Sequence, residues 1–416
     1  MLKIIKNETF LASLGASLEY YDFIIFGHLA SILSTVFFAG DNLLINTVYA
    51  YSIFSVAYLF RPLGGAIAGL CADKFGLRST FVFIMLLMAF STLAIGCLPS
   101  YQSIGIIAPI ILIFLRILQG MSFGAEMPTA INFVNISSNC SSFSSSILCQ
   151  GAAIGALGAS FVMYLLTLTF NHEQILAKMW RLPFMLGGLL AIFAFQLRNL
   201  TMQRPQKAAS RDGFFVPLVK IITQERATFI SALLLAMLPS VLIISYIYLS
   251  TYLSANFNYS MNTVYAINTL GLVWCIVILP VFGKFCEHVN KVLYLAIVSL
   301  ITAFGFYLLI AFKLFNYSNF GLLLLCFGMQ ASIAAYNSAY YVVIGSMFSA
   351  STRGTGVALT YNCAFLIASF FPALITKMRA WAQEPMILFW CLTIVAILNF
   401  FNCMLIANKK TFQVMI

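Results

Sequence analysis

The chain has 416 residues, of which 62% are hydrophobic and only 8% are charged. Soluble globular proteins carry about 25% charged residues, so this chain has too few charges to cover a water-facing surface. The composition excludes a soluble enzyme, a disordered chain and a nucleic-acid-binding domain, and the mean hydropathy of +0.99 predicts a protein that crosses the membrane several times.

Long apolar stretches follow one another along the whole chain. A helix needs about 20 mostly apolar residues to cross roughly 30 Å of hydrocarbon, whereas barrel strands have about ten residues of alternating polarity. The stretches therefore predict an all-α membrane protein with twelve transmembrane helices. We place them at 10–38, 45–72, 79–98, 103–136, 144–170, 180–199, 226–255, 261–284, 291–312, 318–348, 354–378 and 385–407.

The basic residues orient these spans. Fifteen of the 22 Lys and Arg fall on the side that holds the N-terminus and the even-numbered loops, and five fall on the other side. By the positive-inside rule both termini are expected in the cytoplasm, with the bacterial inner (plasma) membrane as the location. The net charge of +11 follows from this topology and does not indicate an acidic partner.

The longest polar segment divides the spans into six and six. It predicts an N-terminal half at 1–199, a cytoplasmic central loop at 200–225 and a C-terminal half at 226–416. Paired halves are a common construction in transporters.

A loop pattern occurs once in each half. It comprises Gly69, Asp73, Gly76 and Arg78, and then Gly283, Glu287, Asn290 and Lys291. The small residue allows close helix approach, the acid can cap a following helix or pair with a cation, and Gly and Asn tolerate a left-handed backbone at the turn. We predict gating contacts here and at Arg353, which lies at a membrane edge.

Five ionisable residues lie well inside predicted spans: Glu19, Asp22, Arg61, Arg116 and Glu126. Each costs roughly 2.5–3.5 kcal/mol near the bilayer centre if it faces lipid, so they should face a cavity or one another. Glu19 and Asp22 are three positions apart on one helix face. Mutual repulsion and desolvation oppose the ionisation of both, so we predict proton coupling at these two acids and at Glu126.

The two arginines stay cationic and can bind a substrate carboxylate bidentately, so Arg61 and Arg116 are predicted substrate-binding residues. Tyr336, Asn337 and Asn362 could complete the pocket through hydrogen bonds from the second half. The alternative interpretation is that the buried charges form structural ion pairs, for example Asp22 with Arg61.

Several segments resemble the major facilitator superfamily, and in particular its metabolite:proton symporter branch. The loop from Gly69 to Arg78 is similar to the family's G-x-x-x-D-[RK]-x-G-[RK]-[RK] loop, although Leu77 replaces a basic residue. The other matching segments are Leu18–Phe23, Phe60–Gly65, Arg116–Gly120, Gly124–Glu126, Trp180–Phe184, Thr352–Gly356 and Tyr361–Asn362.

The resemblance implies the major facilitator fold and secondary active transport, in a branch that carries proline and betaine, 2-oxoglutarate, citrate or shikimate. We therefore predict proton-coupled uptake of a small carboxylate or zwitterionic metabolite, of the proline/betaine or the dicarboxylate type, by one chain in a lipid bilayer. No enzymatic activity, metal, nucleic-acid partner or cofactor beyond the proton gradient is expected. An efflux or exchange carrier and a non-transporting membrane sensor are the alternatives.

Overall fold

The computed structural model describes residues 2–38, 43–75, 77–124, 127–128, 130–131, 141–201, 215–312, 319–349 and 351–408, which form helices and no strand. Twelve long helical segments lie in this part of the chain. They are α1 (Leu2–Phe37), α2 (Leu43–Phe75), α3 (Leu77–Cys97), α4 (Ile107–Phe123), α5 (Ser142–Thr169), α6 (Arg181–Thr201), α7 (Arg226–Phe257), α8 (Met261–Phe285), α9 (Lys291–Ala311), α10 (Asn319–Met347), α11 (Arg353–Ser369, continued by Phe371–Ala382) and α12 (Ile387–Ala407). Short helices lie at Tyr101–Ile104, His172–Gln174 and Phe215–Thr223, with a π-helical turn at Ile175–Met179.

The predicted helical membrane architecture is confirmed. Among the described residues, eight helices are each long and apolar enough to cross a membrane, and a bent pair, His172–Met179 with Arg181–Ile192, makes a ninth candidate. Large apolar side chains such as Phe83, Phe114 and Leu405 are more than half exposed, as expected of a surface that faces lipid.

Local sequence signals begin and end several of these helices. The Ser260 hydroxyl accepts a hydrogen bond from the Thr263 amide at the start of α8, and the Asn290 side chain accepts from two amides at the start of α9. Asn258, with φ at 57°, ends α7. Ser260 and Asn290 accept hydrogen bonds from amides at helix starts, and Asn258 ends a helix. Apolar side chains cannot provide such hydrogen bonds.

The structure corrects one expectation for the repeated loop. Asn290 has φ at −65° and caps α9, so it does not adopt the left-handed turn conformation that the comparison with Gly76 suggested. An Asn side chain has a stronger use at this position, because it satisfies amides that would otherwise lack a partner. Within the predicted central loop, Phe215–Thr223 is helical.

The two six-helix halves meet along a long interface. Helix α5 packs against α1 of its own half and against α8 of the other half, while α7 contacts α11 and α2 contacts α11. The two halves therefore enclose a central space between α1 and α5 on one side and α7, α8 and α10 on the other.

Candidate functional site

A cavity of about 60 Å³ lies between the halves. Its walls come from five helices, and most of its lining is aliphatic. The lining residues that carry a polar atom or a thiol are Tyr20, Cys149, Tyr246, Cys275, Gln330, Asn337 and Tyr341. Among the described residues, no charged side chain lines this cavity. A mostly apolar concave space with a few polar groups is the usual form of a small-molecule site.

Hydrogen bonds orient the polar groups of the wall. The Tyr246 hydroxyl donates to the Asn268 carbonyl oxygen at 2.8 Å, so this hydroxyl already has a partner within the protein. The buried Asn337 Oδ1 has no hydrogen-bond partner among the described residues. An unsatisfied buried amide oxygen costs about 1–3 kcal/mol, which a ligand N–H or a water molecule at this wall would recover.

Glu19 on α1 and Arg61 on α2 share one cluster of tyrosines beside the cavity. Both side chains are buried, and both act electrostatically on the hydroxyls of Tyr20, Tyr58 and Tyr361. The Tyr20 and Tyr361 hydroxyls lie 3.0 Å apart. Because Tyr20 also lines the cavity, it connects this charged cluster to the central space.

Aromatic rings surround the Arg61 guanidinium. Its Cζ lies 4.1 Å from the Tyr58 ring centroid, 5.0 Å from that of Phe123 and 5.1 Å from that of Phe23. Stacking on ring faces compensates in part for the lost hydration of a buried cation. The group is thus held in the protein interior without lining the cavity wall.

Asp22 and Arg116 are joined by an amide. Arg116 Nη1 donates to Gln119 Oε1 at 2.8 Å, and Gln119 Nε2 donates to Asp22 Oδ2 at 2.8 Å. The same Nε2 donates to Thr92 Oγ1 at 2.9 Å. One glutamine side chain therefore bridges a carboxylate on α1 to a guanidinium on α4.

The bridged arginine is enclosed. Arg116 is 0% exposed, and its Cζ lies 4.0 Å from the Phe26 ring centroid. The structure therefore brings Asp22 together with Arg116, whereas the structural alternative from the sequence paired Asp22 with Arg61. The two acids of α1 lie on one helix face, and their surroundings are connected, because the Phe23 ring lies near both Arg61 and Arg116.

The predicted pocket residues of the second half separate in the structure. Asn337 lines the cavity. The Tyr336 hydroxyl contacts Asn399 Oδ1 and the Leu235 carbonyl oxygen inside the C-terminal half. Asn362 Nδ2 donates to the Gly124 carbonyl oxygen at 3.3 Å and so forms a contact between the halves. Of the three, only Asn337 is placed to touch a ligand in this cavity.

The predicted gating residues are described only in part. Glu287 Oε1 accepts a 2.6 Å hydrogen bond from the Ser141 hydroxyl, which joins the halves at the end of the bundle near the chain termini. Arg353 begins α11, and its Nε is buried without a hydrogen-bond partner among the described residues. Glu126 and Gly76 lie outside the described residues, as do the side chains of Asp73 and Arg78 and the surroundings of Gly69.

Sequence reasoning missed several residues that shape this region. Gln119 and Tyr20 enter the sequence analysis only within the matching segments Arg116–Gly120 and Leu18–Phe23. For Gln119 the available signal was its three-residue distance from Arg116 on an apolar helix, which places both on one face. Cys149 and Cys275, to which the sequence analysis gave no role, both line the cavity.

A family model described as Major Facilitator Superfamily matches residues 11–372. This chain belongs to the major facilitator superfamily. The match extends across both halves, so it agrees with the fold described above. The resemblance that the sequence motifs carried is confirmed.

The curated relatives of this family member are named transporters. It is 29% identical over 404 residues to a proline/betaine transporter of Salmonella typhimurium, covering 93% of this chain and 80% of the relative. It is 30% identical over 390 residues to a glycine betaine/proline/ectoine/pipecolic acid transporter of Dickeya dadantii, covering 90% and 76%. The protein is therefore a transporter of the proline/betaine-like branch and not an enzyme.

Solved structures confirm the fold of this family member. A D-xylose-proton symporter superposes with a TM-score of 0.78 at 16% identity, covering 95% of this chain and 96% of the other. A partially occluded inward-open xylose transporter from E. coli superposes with a TM-score of 0.73 at 16% identity, covering 98% of each chain.

Proposed function

We propose that this transporter takes up a small zwitterionic metabolite of the proline/betaine type together with protons. The observation that carries the proposal is the cavity between the halves, because alternating access requires a site near the midplane that the two halves share. The names of the curated relatives support the substrate type.

The chemistry of the wall favours a zwitterion over a dicarboxylate. A dicarboxylate needs cations, yet both Arg61 and Arg116 are held behind the wall by aromatic rings. The rings of Tyr20, Tyr246 and Tyr341 line the cavity, and aromatic faces attract quaternary ammonium groups. A betaine therefore finds suitable partners here without an ion pair to the protein.

Proton binding is assigned to Glu19 and Asp22. In the described part of the chain, these two buried acids balance the two buried arginines. Protonation of either acid leaves one arginine charge uncompensated in a poorly hydrated site, and that imbalance favours a different arrangement of the helices. Release of the proton on the other side of the membrane restores the balance.

Uptake into proteoliposomes tests the proposal. Glycine betaine should accumulate against its gradient when an inward proton gradient is imposed, and citrate should not. A protonophore and Glu19→Gln should each abolish accumulation, whereas Glu173→Gln, at an exposed acid, should leave it unchanged. Accumulation by Glu19→Gln that is insensitive to the protonophore would disprove symport.

Counterflow separates the remaining candidates. A carrier exchanges labelled for unlabelled substrate without any ion gradient, so counterflow of glycine betaine is the expected result. Counterflow that persists when imposed gradients give no net accumulation would favour an exchanger. The absence of flux for every betaine, amino acid and carboxylate would favour a membrane sensor.

We also infer that the transporter works as a single chain with both termini in the cytoplasm of a bacterial cell. The cytoplasmic position of the termini is supported by the fifteen basic residues on their side.

A further inference from the structure

His28 lies inside the first span and has no role in the transport cycle proposed above. Its side chain is 1% exposed. Nε2 hydrogen-bonds with the Ser160 hydroxyl on α5 at 3.1 Å, and the ring meets that of Tyr265 on α8 edge to face, with centroids 5.2 Å apart. The Tyr265 hydroxyl also donates to the His28 carbonyl oxygen at 3.1 Å. One histidine thus joins helices of both halves.

We call His28, Ser160 and Tyr265 the His28 layer, and this layer lies at one end of the cavity. Ile24 on α1 and Ala156 on α5 line the cavity. His28 and Ser160 each follow four residues later on the same helix face, toward the helix ends that lie away from the chain termini. On α8, Tyr265 precedes the residues that line the cavity. The layer therefore separates the cavity from the face opposite the termini.

Close helix contacts at the same level make this layer a barrier. A Cβ atom at Gly27 would overlap the side chain of Ile247 on α7, so α1 and α7 approach each other closely there. Tyr51 on α2 donates a 3.1 Å hydrogen bond to Thr251 on α7. Both contacts join one half to the other and leave little space beside His28.

The surroundings of His28 suit only the neutral imidazole. Helix α5 contains no charged residue, while α7 and α8 carry only Arg226 and Lys284, both at the end near the termini. The titratable group that faces the ring from these helices is the Tyr265 phenol. On its own helix the nearest acid is Asp22, about 9 Å away along the axis and engaged by Gln119.

We propose that the His28 layer is the gate of the cavity on the face opposite the termini, and that protonation of His28 opens it. An imidazolium donates from both ring nitrogens, and the groups within reach of this ring are the Ser160 hydroxyl and the Ile247 backbone, neither of which carries a charge. A buried cation without a counter-charge is costly, and opening of the layer admits water to it. Acid on that face would therefore populate the open state.

The inference rests on the proposed function only in treating the cavity as the space that opens. Its test needs no substrate, because native thiols report access. Cys149 and Cys275 line the cavity, and Cys97, at the end of α3 opposite the termini, is exposed. Intact cells are treated with a membrane-impermeant thiol reagent at external pH 8 to 5.5, and each cysteine is quantified by mass spectrometry.

The labelling rate at Cys275 is divided by the rate at Cys97, and this ratio cancels the effect of pH on thiol reactivity that both share. Labelling of Cys97 in intact cells also reports that this face is outside. In the wild type this ratio should rise roughly tenfold as the pH falls, a modest population shift. His28→Gln should abolish the rise. Tyr265→Phe should raise the ratio at every pH, and Tyr307→Phe, at a half-exposed tyrosine on α9, should behave as the wild type.

An unchanged pH profile in His28→Gln, or an unchanged ratio in Tyr265→Phe, would overturn the gate. Normal labelling results combined with no betaine uptake would instead refute the proposed function and leave the gate standing. A midpoint of thermal unfolding in detergent close to that of the wild type shows that each variant has folded.

Discussion

Gln119 shows how much a neutral side chain can determine among buried charges. Its amide oxygen accepts from Arg116 and its nitrogen donates to Asp22, so it hydrogen-bonds to both ions and carries no charge itself. A direct ion pair would hold Asp22, the proposed proton-binding acid, more tightly to the arginine. The amide leaves Asp22 hydrogen-bonded and still able to accept a proton.

Replacement of this amide tests its positioning role. Gln119→Leu removes a hydrogen bond from each ion, at about 1–3 kcal/mol for each buried group left unsatisfied, so the midpoint of thermal unfolding should fall. Accumulation driven by a proton gradient should fall at least tenfold and should lose more than counterflow does. Gln102→Leu, at an exposed site, is the control. Equal losses in accumulation and counterflow would show that Gln119 is merely structural.

At the scale of helices, glycine contacts decide which faces meet. A Cβ atom at Gly155 on α5 would overlap the Ser17 carbonyl oxygen on α1, whereas one at Gly305 on α9 would meet nothing within 4 Å. Close backbone approach through small residues is a common way for membrane helices to pair. The rotation of α1, and with it the directions of Glu19 and Asp22, depends on this contact.

The two glycines form a matched pair for mutation. Gly155→Ala should destabilise the protein by about 1–3 kcal/mol through overpacking and should impair uptake. Gly305→Ala should be neutral or stabilising by up to about 1 kcal/mol, because alanine favours the helix. Thermal unfolding in detergent and initial uptake rates measure both effects. Equal unfolding temperatures for the two variants would contradict the packing argument.

At the scale of the whole molecule, the halves contact each other at both ends of the cavity. The His28 layer closes one end, and the hydrogen bond from Ser141 to Glu287 lies at the other. A hydrogen bond to a charged group contributes about 1.5–3 kcal/mol at most, and an exposed one less. Such a contact can bias the positions of the halves and still break in every cycle.

Loss of the second contact should favour opening toward the termini. We expect Glu287→Gln to increase the labelling of Cys275 from the cytoplasmic face by up to about fivefold, the effect of roughly 1 kcal/mol. Inverted membrane vesicles and the same impermeant reagent measure this, with Glu173→Gln as control. Lower labelling than in the wild type would show that Glu287 opposes closure.

The amino-acid composition and the apolar runs predicted more of this fold than they would predict for a soluble chain of equal length. Apolar runs predicted α7 to α10 and α12 with ends within two residues of those observed, because bilayer thickness sets helix length and each run is local. The basic residues predicted an orientation because the charge of each loop is also a local property of the sequence. The buried charges were found because charge is conspicuous among apolar residues.

Only the tertiary structure decided which of these residues meet. Asp22 turned out to face Arg116 through Gln119, both arginines lie behind the cavity wall, and His28 joins the two halves. These outcomes depend on how each helix is rotated and which helix lies beside it. Rotation and pairing follow from glycine contacts and side-chain packing between segments far apart in the chain, and no local pattern of polarity encodes them.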